Sequence, residues 1–257
     1  MRIFLLAALL LSFTTANSQL PTPITLPNGW SLSPLGRTLQ LGDLPLNMAV
    51  SHSGKRMAVS NNGQSGHSIQ YIDVVTEQVL DMMVIDKAWY GLAFSDDDQL
   101  LYVSAGHDNR INVYANKGDR LKLIDSIPLG DPWPNKVGPA GIAINSKKNL
   151  LYVVTRDNKS LYIIQTSTKK ILQKIALGAE AYSCVLSPDR TILYVSLWGG
   201  DQVLKMDANN GDIISSVHVG DNPNEIIINK KGDQLYVANS NDNSVSVIRT
   251  KIGRAHV

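Results

Sequence analysis

Short apolar runs separated by polar turns recur in groups of four along residues 44–251. The second run of each group has nearly the same sequence, with copies at residues 57–61 (MAVSN), 101–105 (LYVSA), 151–155 (LYVVT), 193–197 (LYVSL) and 235–239 (LYVAN). The central valines of these copies are 44, 50, 42 and 42 residues apart. Because the runs are rich in β-branched residues and lack a period of about 3.6, each group predicts four β-strands.

Four antiparallel strands in every ~40–50 residues are typical of a β-propeller blade. The runs are apolar at successive positions, which favours sheets covered on both faces by neighbouring blades. The sequence therefore predicts an all-β propeller of four-stranded antiparallel blades, with complete blades at residues 44–86, 88–130, 131–178 and 180–220. Residues 222–251 supply three strands of a fifth blade, and its outer strand is predicted to be missing.

The first 18 residues have the pattern of a secretory signal peptide. Arg2 precedes an apolar run of 11 residues at 3–13, and Ala16 and Ser18 supply a cleavage site before Gln19. The run is shorter than the ~20 apolar residues of a membrane-spanning helix, and an uncleaved N-terminal anchor is the alternative. We expect an exported protein, periplasmic or extracellular, with no membrane span after cleavage. Residues 19–43 are a lead-in with a candidate ring-closing strand at 37–41.

Residues 252–257 (IGRAHV) break the strand pattern that precedes them. They match the in-frame translation of a common sequencing adapter, and this segment is therefore interpreted as an artefact that interrupts the propeller of residues 44–251. A natural tail is the alternative.

Two groups of motifs resemble a known family. The run LYVAN at 235–239, followed by NDNSVSVI at 241–248, resembles the YVTN-repeat, or YncE-like, β-propeller family. The segments 26–37 (LPNGWSLSPLGR), 44–47 (LPLN), 61–65 (NNGQS) and 89–95 (WYGLAFS) are most similar to exported proteins in which such a propeller precedes an alkaline-phosphatase-type domain. The resemblance implies a parent ring of about seven blades, and a phosphoesterase domain whose metal ligands and nucleophile lie beyond this chain.

The charge balance and the single cysteine exclude some classes of partner and one kind of cross-link. The formal net charge is +2, but Arg2 and Arg254 lie in the two end segments, so the 24 basic residues fall to 22 and balance the 22 acidic ones. This balance argues against nucleic acid as a partner. The single cysteine, Cys184, excludes an internal disulfide and lies in an apolar run, where we expect a core residue.

Two sets of loops share one face of such a propeller: those joining the second and third strands of a blade, and those joining successive blades. Three of the four tryptophans fall in these loops. The predicted ligand- or partner-binding rim consists of Trp89, Tyr90, His107, Asp108, Trp133, Arg156, Asp157, Tyr182, Trp198 and Asp201. The alternative is that the aromatic rings only cap the packing between blades. Asp-Asn pairs recur at the same place in several blades, which favours a hydrogen-bonding role in turns over metal binding.

No catalytic, metal-ligating or cofactor-binding motif is found: P-loop, G-x-S-x-G, His-Glu-x-x-His and Cys-x-x-Cys-His patterns are all absent from the sequence. The sequence therefore predicts an exported, non-catalytic binding module that recognises a small molecule, a cell-surface polymer or a protein. The resemblance makes it the N-terminal part of a larger phosphoesterase-type protein. A propeller enzyme such as a lactonase, with its site at the channel mouth, is the alternative, and whether the protein is an enzyme stays open at this point.

Overall fold

The computed structural model describes residues 24–32, 36–250 and 254–256. The chain divides into two units at residue 41, and in the described part of the first unit β1 (Ile24–Thr25) pairs antiparallel with β2 (Ser31–Leu32). The predicted signal peptide, residues 1–18, lies outside the described residues. Among the described residues, no helix has the length and apolar character needed to cross a membrane.

Residues 41–257 form a second unit built from five antiparallel sheets of four strands, in which consecutive strands are neighbours. The first three sheets are β3–β6 (Pro45–Val50, Arg56–Asn62, His67–Asp73, Gln78–Val84), β7–β10 (Leu92–Phe94, Leu100–Ser104, Arg110–Asn116, Leu121–Pro128) and β11–β14 (Pro139–Asn145, Leu150–Thr155, Ser160–Gln165, Lys170–Ala176). The last two are β15–β18 (Ala181–Leu186, Ile192–Leu197, Gln202–Asp207, Ile213–His218) and β19–β22 (Pro223–Ile228, Gln234–Asn239, Ser244–Arg249, Arg254–His256). The predicted all-β propeller of four-stranded antiparallel blades is confirmed.

The same serine-to-aspartate hydrogen bond occurs in the turn between the first two strands of two different blades. The Ser95 hydroxyl donates to the Asp97 carboxylate at 2.5 Å, and Ser187 donates to Asp189 at the same distance. These hydrogen bonds hold the pKa of both carboxyl groups below the usual range of aspartate. The repeated sequence thus builds the same turn in the second and fourth blades.

The hydrophobic core lies between adjacent blades rather than within a single sheet. Between the third and fourth blades, for example, Tyr152 and Ile163 pack in one cluster with Val195 and Met206. Outer strands are largely solvated, as in Lys170–Ala176, where only Ile175 is partly buried. This packing explains why the second and third runs are apolar at successive positions.

The first strands of all five blades line a central channel of about 650 Å³. The end opposite the predicted rim carries charged side chains. Arg190 donates to Asp96 across the channel at 2.5 Å, and the His52 Nε2 atom lies 3.7 Å from the second Asp96 oxygen. Charged side chains therefore line the end of the channel that lies away from the candidate binding residues.

The first and fifth blades each expose an apolar face that the middle blades bury. Met48 is 62% exposed, whereas Leu92, at the same position in the second blade, is 7% exposed. Likewise Val245 of the fifth blade is 55% exposed, whereas Val203 of the fourth is 2% exposed. Each of these two blades therefore lacks, among the described residues, the neighbour that covers the corresponding face elsewhere.

Three expectations about the blades are corrected. The fifth blade has a fourth strand, because Arg254–His256 pairs antiparallel with Ser244–Arg249. This strand was missed because IGRAHV lacks an apolar run, and strand pairing uses backbone groups that any residue other than proline supplies. Residues 37–41 form no strand. Five blades are described, and a ring of seven is not supported.

Candidate functional site

Both sets of predicted rim loops contribute to one pocket of about 180 Å³, here called the rim pocket. Three predicted residues line it, namely Trp89, His107 and Arg156. His67 and Lys87 also line it; both lie in the predicted rim loops but were not selected as binding residues. Loops from the first three blades therefore meet around one concave surface.

A stacked cation and indole form one wall of the rim pocket. The Arg156 guanidinium lies 5.2 Å from the centre of the Trp89 ring, within the range of a cation–π contact. Its Nε donates to Asp157 Oδ1 at 3.1 Å. Neither Nη atom makes a hydrogen bond to another described residue. The fork of Arg156 is thus held in place by its inner nitrogen while its outer nitrogens stay available.

Asp157 also approaches His107, because its Oδ2 atom lies 3.5 Å from His107 Nε2. The His107 ring in turn packs against Trp133, with 5.9 Å between ring centres, and Lys136 lies 5.2 Å from the centre of the Trp133 ring. The structure therefore brings Trp133 to the outer edge of the rim pocket through His107.

Asp108 has a positioning role. Its two carboxylate oxygens lie 3.3 Å from Lys87 Nζ and 3.2 Å from an Arg110 Nη atom. Both oxygens thus contact cations, and the ion pair with Asp108 holds the Lys87 ammonium group at the wall of the rim pocket.

Two glycines let the loops approach closely enough to form the pocket. A Cβ on Gly106 would lie 2.6 Å from the Lys87 carbonyl oxygen, and one on Gly138 would lie 2.6 Å from Asp157 Oδ2. Both residues also have positive φ values, +49° and +62°, which L-residues rarely adopt. A side chain at either position would displace a wall of the rim pocket.

Asn109 fixes the long loop at 130–139. Its amide nitrogen donates to the carbonyl oxygens of Asp131 and Asn135 at 2.7 Å, and its amide oxygen accepts from the backbone of Val137 and Gly138 at 3.0 and 3.3 Å. The hydrogen-bonding role predicted for the Asp-Asn pairs is confirmed here. Across the described ranges, no group of three or more His, Cys, Asp and Glu side chains is arranged to hold a metal ion.

One buried polar atom of a residue that lines the rim pocket, His67 Nδ1, lacks a hydrogen-bond partner among the described residues. Buried polar groups are nearly always satisfied by protein, water or ligand. The rim pocket therefore has hydrogen-bonding capacity that the described part of the chain leaves unused.

The remaining predicted rim residues lie outside the rim pocket. Tyr90 and Tyr182 pack against each other beside the central channel, with ring centres 4.5 Å apart and planes at 57°. Burial raises the pKa of the Tyr182 hydroxyl. Trp198 and Asp201 accept hydrogen bonds from Asn222, through the Trp198 carbonyl oxygen at 2.8 Å and Asp201 Oδ1 at 3.0 Å. These last two stabilise the junction between the fourth and fifth blades.

Sequence reasoning missed Glu225, in the first strand of the fifth blade. Burial raises the pKa of this carboxyl group to about 7, partly offset by the hydrogen bond from the Ile226 amide. One sequence signal could have identified Glu225: it is the only acidic residue at this position of the repeat. The equivalent residues of the other four blades are Asn47, Gly91, Gly141 and Ser183. Cys184 is buried as expected, and its burial raises the thiol pKa to about 12.

Solved structures with the same architecture include a hydrazine synthase from Kuenenia stuttgartiensis, with a TM-score of 0.70 and 20% sequence identity over 85% of this chain and 66% of that one. A functionally unknown protein from Desulfotomaculum acetoxidans has a TM-score of 0.72 and 14% identity over 83% of this chain and 70% of that one. The chain thus spans about two thirds of the length of these structures. At such identities the likeness shows the fold alone, and this chain is a β-propeller protein. No protein-family model and no curated protein matches the sequence.

Proposed function

We propose that this chain is a non-catalytic binding module whose rim pocket recognises a carboxylate or similar oxyanion attached to a small ring. The observation that carries the proposal is the Arg156 guanidinium stacked on Trp89, with neither Nη atom hydrogen-bonded to another described residue. An arginine fork binds a carboxylate through two parallel hydrogen bonds, and an indole face supplies apolar contact for a ring beside it.

The charges around the rim pocket support an anion. Lys87 and Arg156 both line the pocket, and their carboxylate partners, Asp108 and Asp157, lie behind them rather than among the lining residues. His67 and His107 add ring nitrogens that can donate hydrogen bonds. The lining residues therefore offer donors and cations, with no carboxylate among them.

The size of the rim pocket limits the ligand. Its 180 Å³ compares with a cavity of about 150 Å³ that accepts benzene. One ring bearing one acidic group fits this space. Such a group can belong to a free small acid or to the end of an acidic cell-surface polymer.

Calorimetry with the full chain tests this proposal, with glucuronate and benzoate as probes and glucose and benzyl alcohol as uncharged analogues. We expect the acids to bind and Arg156→Gln to weaken their affinity about tenfold or more, because a charge-assisted hydrogen-bond pair contributes more than ~1.4 kcal/mol. Arg156→Lys keeps the charge but loses the fork, and should also weaken binding.

Arg120→Gln is the matched control, because Arg120 is exposed in the turn between the third and fourth strands of the second blade. This variant should bind as the unchanged protein does. Equal affinity of an acid and its uncharged analogue, or undiminished binding by Arg156→Gln, would overturn the anion proposal.

We further propose that the protein is exported and works in the periplasm or outside the cell. The support is the basic start, the apolar run at 3–13 and the small residues Ala16 and Ser18. Mass spectrometry of exported material should find an N-terminus at Gln19 or a neighbouring residue. Intact Met1 on cytoplasmic protein would contradict export.

The motif at 235–248 supports membership of the YVTN-repeat propellers, and the N-terminal motifs support a place in a larger phosphoesterase-type protein. The exposed faces of the first and fifth blades are consistent with further blades in that protein. Sequencing the natural gene across the codons for residues 245–257 and beyond tests both proposals.

A further inference from the structure

A second cavity, of about 140 Å³, lies at the end of the central channel nearest the rim and is here called the mouth pocket. The first strands of all five blades contribute to it, through Asn47, Gly91, Gly141, Ser183 and Glu225 at equivalent positions of the repeat. The mouth pocket shares no lining residue with the rim pocket. It is therefore a separate candidate site.

Glu225 gives the mouth pocket an uncompensated acid. Its Oε1 atom accepts hydrogen bonds from the Ser183 hydroxyl and from the Ile226 amide, both at 3.2 Å. Its Oε2 atom accepts none from the described residues, and none of their cations forms an ion pair with it. A half-buried carboxylate without a cation is costly, and burial accordingly raises the pKa of Glu225 to about 7.

Tyr90 supplies an independent sign of an unfilled site. Tyr90 is one of the residues that line the mouth pocket and is only 5% exposed, and its buried hydroxyl has no hydrogen-bond partner among the described residues. The Tyr182 ring packs against the Tyr90 ring, with 4.5 Å between ring centres. A phenol oxygen can accept a hydrogen bond, and aromatic rings attract cations.

We propose that the mouth pocket binds the ammonium group of a small organic amine, with Glu225 as counter-ion and the Tyr90 hydroxyl as a second acceptor. The 140 Å³ volume suits a ligand of about the size of benzene, or the amine-bearing end of a longer molecule. Among the lining residues, the other ionisable groups are Tyr90 and Cys184, and burial keeps the Cys184 thiol protonated near neutral pH. Glu225 is therefore the residue whose charge decides this site, whatever the rim pocket binds.

Calorimetry with benzylammonium, and with benzyl alcohol as its uncharged analogue, tests the site in the full chain. We expect benzylammonium to bind, benzyl alcohol to bind at least tenfold more weakly, and Glu225→Gln to weaken benzylammonium about tenfold or more. Tyr90→Phe, which keeps the ring, should weaken it several-fold. The affinity should rise as the pH rises through about 7, because the amine stays protonated while the Glu225 carboxyl group loses its proton.

Glu180→Gln is the matched control, because Glu180 is another rim glutamate, 3.9 Å from Lys159, and lies outside the mouth pocket. Thermal melts establish that each variant is folded. Equal loss in Glu180→Gln and Glu225→Gln, equal affinity for the amine and the alcohol, or no binding of the amine at millimolar concentration would each overturn the proposal. Glu225→Gln is judged on benzylammonium and Arg156→Gln on benzoate, so failure of this proposal is distinguishable from failure of the anion proposal.

Discussion

Replacing Tyr152 with alanine is expected to lower the free energy of unfolding by about 3–5 kcal/mol, the usual cost of removing a large buried ring. Tyr152 is fully buried in the second strand of the third blade and packs against the fourth. Its hydroxyl donates to the Ala208 carbonyl oxygen of the fourth blade at 2.6 Å. The substitution therefore removes both a packed ring and a hydrogen bond between blades. Denaturant melts of the purified chain measure the loss.

Tyr236 is the matched control, because it occupies the same strand position in the fifth blade but is only half-buried. Its hydroxyl donates to Gln234 Oε1 at 2.9 Å, within its own sheet. Tyr236→Ala should cost only about 1–2 kcal/mol, since less apolar area is lost. Tyr152→Phe should cost about 1 kcal/mol, because the Ala208 carbonyl loses its donor. Equal losses at Tyr152 and Tyr236 would contradict the packing between the third and fourth blades.

Gly141→Ala is expected to destabilise the propeller by about 1–3 kcal/mol through overpacking. A Cβ on Gly141 would lie 2.7 Å from Ser183 Cα, 2.8 Å from the Tyr182 carbonyl oxygen and 3.0 Å from the Cys184 nitrogen. All three atoms belong to the backbone of the neighbouring blade, which cannot yield by a side-chain rotation. The first strands of the third and fourth blades would have to separate.

Gly200→Ala provides the comparison for this result. Its nearest atom would be Ala179 Cβ at 3.0 Å, followed by Leu197 side-chain atoms at 3.5 and 3.9 Å. Only the Ala179 contact is closer than ordinary van der Waals distance, and a shift of a few tenths of an ångström in this loop relieves it, so we expect a loss below about 0.5–1 kcal/mol in the same denaturant melts. A loss at Gly200 as large as that at Gly141 would show that the close approach of the two inner strands does not limit stability.

Part of the candidate site could be predicted from loop position alone. Trp89, His107 and Arg156 were assigned to one rim because their loops follow equivalent strands, and they line one pocket. The same reasoning grouped Trp198 and Asp201 with them, but these two accept hydrogen bonds from Asn222 at another blade junction. Loop position determines the face of the propeller, whereas distance around the ring determines which side chains meet.

Glu225 and Lys87 show why the rest could not be predicted. Glu225 lies in an ordinary apolar strand, and its raised pKa comes from burial among first strands of other blades. Lys87 is one lysine among many in the sequence. It is held at the rim pocket by Asp108, whose carboxylate lies 3.3 Å from its ammonium group and belongs to a different loop. Neither burial nor pairing between loops leaves a local signal.

The sequence by itself determined the blades, because each blade pairs strands that follow one another within about 40–50 residues. Local strand propensity and turn chemistry, such as that of Ser95 with Asp97, are sufficient for this part of the fold. The tertiary structure alone decided that Arg156 stacks on Trp89 and that no cation among the described residues pairs with Glu225. Those relations join residues of different blades, and their geometry depends on how neighbouring sheets pack, which no single repeat encodes.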